Sequence, residues 1–303
     1  MAEINLHPGQ SRIFNDLFIE RNCRFATVAA SRGWGKSYFA AVAATTAIWE
    51  LFELDASVPN KNVYIIAPTY DHVTDIYYPI LAYDLGLEQL AITSRRDIGR
   101  FTFQNNVELR LVSYEAVERL RGKGAYFVVG DELSSWYKGI KPKEAWEAVI
   151  QPCIITRWSE ARAKRYGAKS AGRALNISTP KGYNFFYDMY HFTENDERWK
   201  SYHFDYTQSP FLDIKEIERI KHTIDPLQWA SEYEAKFEDS GTNVFYCFDR
   251  KTHVKKLDDF QEGERVHAFI DFNVGKMPLG TLVSVVLADT KPSEFRETLR
   301  AVA

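Results

Sequence analysis

The tightest constraint on the fold of this chain is local: between Arg24 and Leu54 an apolar run, a turn with two glycines and an alanine-rich stretch follow one another directly. RFATVAA (24–30) reads as a buried strand, and Lys36 to Leu54, free of glycine and proline, as a helix. A strand that enters a helix through such a turn points successive backbone N–H groups, and the positive end of the helix dipole, at one spot. Gly33 and Gly35 supply the conformational freedom, Lys36 is placed for β/γ-phosphates, and the Ser37 hydroxyl for Mg²⁺. Ala30 stands where the G-x-x-x-x-G-K-[ST] pattern has its first glycine. That exchange costs little at the end of an incoming strand.

The pattern repeats downstream. NVYIIAP (62–68), AYFVVGDE (125–132) and RALNISTP (173–180) are short apolar runs ending in polar residues, and RFTFQ and VELRLVS alternate around Asn105-Asn106 like a half-exposed hairpin. Strands alternating with helical stretches such as Lys143 to Val149 predict an α/β fold, a mostly parallel sheet flanked by helices with its chemistry at the C-terminal strand edge. Asp131 and Glu132 follow such a strand: one carboxylate to hold the metal, the next to polarise a water. Residues 206–262 change texture. IKEIERIKHTI and PLQWASEYEAKF read as charged amphipathic helices before a turn at DSGTN, and VHAFIDF (266–272) and TLVSVVLA (281–288) as two further strands.

Composition narrows the function classes. With 45% apolar and 26% charged residues the chain is globular, and no apolar run is long enough to cross a bilayer. MAEINLHPGQ has no secretory leader pattern, so a cytoplasmic location is expected. Cys23, Cys153 and Cys247 form no C-x-x-C pair and are read as reduced, partly buried thiols. A net charge of -3 excludes coating of nucleic acid through overall charge, but RWSEARAKRYGAKSAGR (157–173) sets Arg157, Arg162, Lys164, Arg165, Lys169 and Arg173 against Glu160 alone. Arg162, Lys164 and Arg165 are candidates for contacts to DNA phosphates.

Taken together, these motifs resemble the large terminase subunit of tailed bacteriophages, the ATPase that pumps viral DNA into a preformed capsid. The likeness runs over nearly the whole chain. It implies a P-loop ATPase domain of the RecA-like type over 1–205, a small helical linker over 206–262, and the start of a ribonuclease-H-like nuclease domain over 263–303. Ser31-Arg32 match the residues that enter the family's phosphate loop, which makes Arg32 a γ-phosphate sensor and puts Ser31, Gly33, Trp34 and Gly35 with Lys36 and Ser37 among the nucleotide-binding residues. LHPGQ resembles the segment that reads adenine, here through Gln10, and LNISTPKGYNFFYDMY the coupling motif, with Ser178, Thr179 and Asn184. LRGKGAYFVV makes Arg121 a candidate finger acting on a neighbouring subunit, with Arg95, Arg96 and Arg100 as rivals. HAFIDFNVGKMP places Asp271 as the first ligand of a nuclease metal, Mg²⁺ or Mn²⁺, in a site this sequence only begins. The implied partners are ATP with Mg²⁺, double-stranded DNA, the portal of the procapsid, the small terminase subunit and further copies in a ring, in the host cytoplasm. A cellular Asp-Glu-box helicase shares the loop, the acidic pair and a Ser-x-Thr-like motif. It needs a second RecA-like domain, for which the sequence after residue 205 offers no αβ repeat of adequate length.

Overall fold

The structure, a computed structural model, describes residues 4–194, 196–238, 265–271 and 280–286. Contacts group the chain into two units, Met1–Val244 and Phe245–Ala303. The first contains β1 (Phe25–Ala30), β2 (Asn62–Ala67), β3 (Thr93–Arg95), β4 (Arg100–Thr102), β5 (Glu108–Ser113), β6 (Phe127–Asp131), β7 (Arg173–Ser178) and β8 (Trp199–Phe204). These form one sheet in the order β3-β4-β5-β2-β6-β7-β1-β8. From β5 to β8 along that order all neighbours are parallel, and β4, near one end, runs antiparallel to both β3 and β5.

The apolar runs form strands because both faces of the sheet are covered. Every residue of β1, β6 and β7 is buried, as expected for central parallel strands. Pleating divides β1 between two apolar layers: Ala26, Val28 and Ala30 face one, and Phe25 and Ala29 the other. The first layer includes Phe39, Ile48 and Leu51 of α1 (Lys36–Phe52), and the second Trp146, Val149, Phe186 and Met189. The helix expected to Leu54 thus ends at Phe52, and the strand expected over 125–132 is Phe127–Asp131. The expected hairpin is present as β4 and β5, with Asn105 and Asn106 both at positive φ in its turn.

After β8 the described residues hold two α-helices, Ile214–Ile220 and Pro226–Glu232, capped by Asp213 and Asp225. They belong to the same unit as the sheet. The second unit contributes β9 (Arg265–Asp271) and β10 (Gly280–Val286), an antiparallel pair with Asp271 opposite Gly280. DSGTN, Cys247, the NVGKMP segment and the final KPSEFRETLRAVA lie outside the described residues. Among the described residues no helix is long and apolar enough to cross a membrane.

Candidate nucleotide-binding site

Parallel strands bring their C-terminal ends to one edge, so the segments after β1, β2, β6, β7 and β8 meet there. A cavity of about 440 Å³ opens at this edge, with Arg32, Lys36, Ser37, His72, Glu132 and Thr179 on its wall.

The loop after β1 has the backbone its sequence requires. Gly33 and Gly35 sit at φ 76° and 89°, the left-handed region that favours glycine. Their faces are also crowded: a Cβ on Gly33 would lie 2.7 Å from Leu212, and one on Gly35 2.9 Å from the Gln10 amide. The segment after β8 therefore braces the loop from outside, and Ser209 donates its hydroxyl proton to the Gly33 carbonyl (2.9 Å). Lys36, buried at the start of α1, donates from Nζ to Thr179 Oγ1 (2.8 Å) and to the carbonyls of Ser31 (3.0 Å) and Ala30 (3.4 Å). Its ammonium also lies 3.6 Å from Glu132 Oε1.

The two acidic residues are treated differently. Glu132 is held at φ 46°, a conformation that non-glycine residues adopt mainly where surrounding structure enforces it. Its Oε2 accepts from Ser178 Oγ (3.3 Å), which itself accepts from the Ser134 N–H (3.1 Å). Burial, opposed by Lys36 and reinforced by Asp131, raises the Glu132 carboxyl above its ordinary value. Asp131 is 0% exposed, and its Oδ2 meets His72 Nε2 at 3.0 Å. That hydrogen bond raises the His72 imidazole above its usual pKa. Oδ1 of Asp131 is buried and has no hydrogen-bond partner among the described residues. With the Ser37 hydroxyl on the cavity wall, the set fits magnesium, which takes one or two protein oxygens and completes its shell with phosphate and water. Among the described residues no three His, Cys, Asp or Glu side chains form a metal cage of their own.

The other expected site residues differ in their placement. Trp34 faces away from the cavity: it is fully buried, stacked on Phe204 (centroids 4.8 Å) and edge-on to His7 (4.7 Å). Gln10 does reach the loop, but it is 1% exposed and its amide donates to the Gly35 carbonyl (3.4 Å), so it braces the turn. Arg32 is exposed beside the cavity, with its backbone N–H bound to the Glu232 carbonyl (2.8 Å), and Ser31 is buried with its N–H on the Phe204 carbonyl (2.9 Å). Asn184 caps the helix Phe185–Tyr190 through the Phe186 N–H and donates to the Ser134 carbonyl (3.2 Å). Arg121 pairs with Glu118 (3.3 Å) and Glu144 (3.9 Å), while Arg95, Arg96 and Arg100 pair with Asp97, Asp75 and Glu108.

The basic run is not one surface. Arg173 begins β7 inside the protein, paired with Glu50 and donating to the Leu17 carbonyl (2.7 Å), and Lys169 pairs with Glu53 (2.6 Å). Arg162, Lys164 and Arg165 lie on the helix Glu160–Tyr166, whose Glu160 pairs with Arg24 (3.6 Å), the residue before β1. That helix therefore flanks the N-terminal end of β1, and the phosphate loop follows its other end, roughly 20 Å away at a strand's rise per residue. Asp271 is the last residue of β9. Sequence reading missed His72, Lys181, which also lines the cavity and donates to Ser135 Oγ (2.9 Å), and the bracing segment from Ser209 to Leu212. His72 carried a usable signal: it follows the Thr69 cap at the C-terminal end of an apolar strand.

No family model matches the chain. The large terminase subunit of Escherichia phage T5 is 27% identical over 287 residues, which take in 91% of this chain and 59% of that protein. The large terminase subunit of Thermus phage G20c is 28% identical over 193 residues, 57% of this chain and 35% of that one. The chain thus spans well under two thirds of the length of these curated relatives. Among solved structures, the large terminase ATPase domain of Thermus phage P74-26 superposes with a TM-score of 0.55 at 23% identity, covering 77% of this chain and 94% of that domain. The large terminase of the HK97 bacteriophage gives a TM-score of 0.52 at 12% identity, over 95% of this chain and 62% of that one. By sequence across most of its length this chain is similar to phage large terminase subunits, and its eight-stranded α/β fold is similar to that of a large terminase ATPase domain.

Proposed function

We propose that the chain is the ATPase of a viral DNA-packaging motor, hydrolysing ATP to move double-stranded DNA into a procapsid. One observation carries the reading: Lys36, Glu132 and the Ser178-Thr179 pair, from three separate strand ends, meet at one cavity, with Lys36 2.8 Å from Thr179 and Glu132 3.3 Å from Ser178. In it, Lys36 and the loop N–H groups bind the β/γ-phosphates, and Ser37 with Asp131 holds Mg²⁺. When bound, the ion neutralises charge on the phosphate oxygens. Glu132 orients the attacking water, and Arg32 lies where a cation can stabilise charge on the transferring phosphoryl group. A large terminase of similar fold, from a thermophilic bacteriophage, has been solved in complex with ADP, which supports nucleotide binding at such a site.

Coupling to movement has a physical route. Glu132, Ser178, Ser134 and Asn184 are joined by successive hydrogen bonds, ending at the cap of the helix Phe185–Tyr190. A change at Glu132 on turnover can therefore shift that helix. Arg162, Lys164 and Arg165 are assigned to DNA phosphates, Arg121 to a neighbouring copy in a ring, and Asp271 to a nuclease metal, Mg²⁺ or Mn²⁺. The portal and the small terminase subunit are the remaining partners, in the host cytoplasm. Likeness to terminases in both sequence and fold supports this reading over a cellular helicase.

The test is phosphate release by the purified chain alone, with double-stranded DNA, and with DNA plus empty procapsids. Stimulation by procapsids is expected. Separation of a forked duplex with no procapsid effect would replace the motor with a helicase, and absence of nucleotide binding would remove the ATPase altogether.

A further inference from the structure

We propose that His72 is a positioning residue for Asp131, holding one carboxylate oxygen so that the other is presented to a divalent cation. This rests on the nucleotide-site reading above and adds to it a residue from the turn after a different strand.

Asp131 ends β6 with no exposed surface, and its two oxygens have unequal surroundings. Oδ2 meets His72 Nε2 at 3.0 Å, Oδ1 has no hydrogen-bond partner among the described residues, and the buried Tyr77 hydroxyl lies near the same carboxylate. A carboxylate taken from water with an oxygen left bare is costly. A cation bound through Oδ1 removes that cost. Meanwhile the backbone of Asp131 is fixed independently, by the Trp136 indole N–H on its carbonyl (3.0 Å), so His72 acts on the side-chain orientation and not on the main chain.

His72 is itself well placed to do this. β2 and β6 are adjacent and parallel, so the residues just beyond their C-terminal ends meet at the same edge. Thr69 caps the turn after β2 by accepting from the His72 N–H (3.2 Å), and the imidazole lies beside Tyr77 (centroids 6.2 Å). The imidazole also lines the cavity. To bond Oδ2 it donates from Nε2, which occupies that nitrogen and makes it a support for the metal ligand instead of a ligand. Outer supports of this kind set metal affinity by restricting the ligand's orientation.

The experiment is a Mg²⁺ titration of fluorescent ATP-analogue binding to the whole chain, comparing wild type with His72→Phe, which fills the ring's volume without a donor, and His72→Gln, whose amide N–H reaches about where Nε2 lies. His72→Phe is expected to raise the half-saturating Mg²⁺ concentration by roughly 10–100-fold, and His72→Gln to stay within about threefold of wild type. Nucleotide binding in excess chelator should be equal in all three. Should His72→Phe not fold, His72→Asn, whose amide falls short of Oδ2, takes its place with the same expectation. An unchanged Mg²⁺ requirement in the donor-free variant, or an equal shift in His72→Gln, overturns the assignment while leaving the nucleotide site standing. A wild-type chain that binds no nucleotide, or binds it indifferently to Mg²⁺, overturns the site reading and this assignment with it.

Discussion

Replacing Glu50 with alanine should cost the first unit a large part of its stability. Glu50 lies in α1 and accepts from Arg173, from the Tyr126 hydroxyl (2.7 Å) and from Arg21 (3.0 Å). Arg21 is 31% exposed and can return to water, but the Arg173 side chain is 1% exposed. Without Glu50 it keeps the Leu17 carbonyl and the faces of Phe18 (4.5 Å), Tyr126 (5.2 Å) and Phe127 (5.8 Å) as compensation. Breaking a buried pair from one side costs about 3–5 kcal/mol, because the surviving charge stays in the interior. For a unit of this size each kcal/mol moves the melting midpoint by roughly 2–4 °C, so a fall of roughly 6–20 °C is expected. Removing both charges, as Glu50→Leu with Arg173→Met, should recover most of the loss, since apolar replacement of a buried pair is often neutral. Urea and thermal unfolding followed by tryptophan fluorescence would measure Glu50→Ala and the four members of the cycle made by wild type, Glu50→Leu, Arg173→Met and the double variant. A Glu50→Ala midpoint within about 2 °C of wild type, or a double variant as unstable as the two singles summed, would show that the pair is not the buried charge couple described here.

At the cavity, Lys36→Ala should abolish tight ATP binding, whereas Glu132→Gln should retain it and lose about 10²–10⁴ in turnover; binding and single-turnover assays separate the two, and equal loss of binding would show Glu132 misassigned. Neutralising Arg162, Lys164 and Arg165 together should weaken binding to unrelated DNA sequences alike and flatten its salt dependence by about 0.9 log units per log salt for each phosphate that goes unneutralised. DNA-free ATP hydrolysis should hardly change, since that helix flanks the N-terminal end of β1 and the loop follows the other; an unaltered salt slope would remove the helix from the DNA interface. Burial pushes the Cys23 and Cys153 thiols from 9.0 up to about 11. The folded state thus holds their protons more tightly than the unfolded chain, so the stability they contribute is complete below pH 9 and is lost as pH rises toward 11. Flat stability across that window, or alkylation of both thiols at pH 8 as fast as in denaturant, would contradict their burial.

What the sequence could carry was whatever depends on neighbours in the chain. β1, β6 and β7 were legible because a strand covered on both faces must be apolar throughout, and Asp131 and Glu132 because a parallel sheet sends the ends of its strands to one edge. What the sequence could not show is which way a side chain turns, because partners far off in the sequence decide that. Trp34 turns inward because Phe204, on β8, offers its ring a surface to stack on, and Gln10 closes on Gly35 because Phe211 and Leu212 crowd the loop from outside. Arg173 reads as the last cation of a basic run, yet its partner Glu50 lies 123 positions away and Leu17 is 156 positions away. Counting charges along the chain could not separate it from Arg165. The distinction lies in register: Arg173 pairs with Phe127 on the central strand β6, so its backbone is already committed to the interior, and the guanidinium is kept there by an anion that α1 supplies from a distant part of the sequence. A basic run that continues into a strand pattern therefore loses its strand residue from any surface count, and Arg162, Lys164 and Arg165, proposed to meet DNA, lie on a helix of their own.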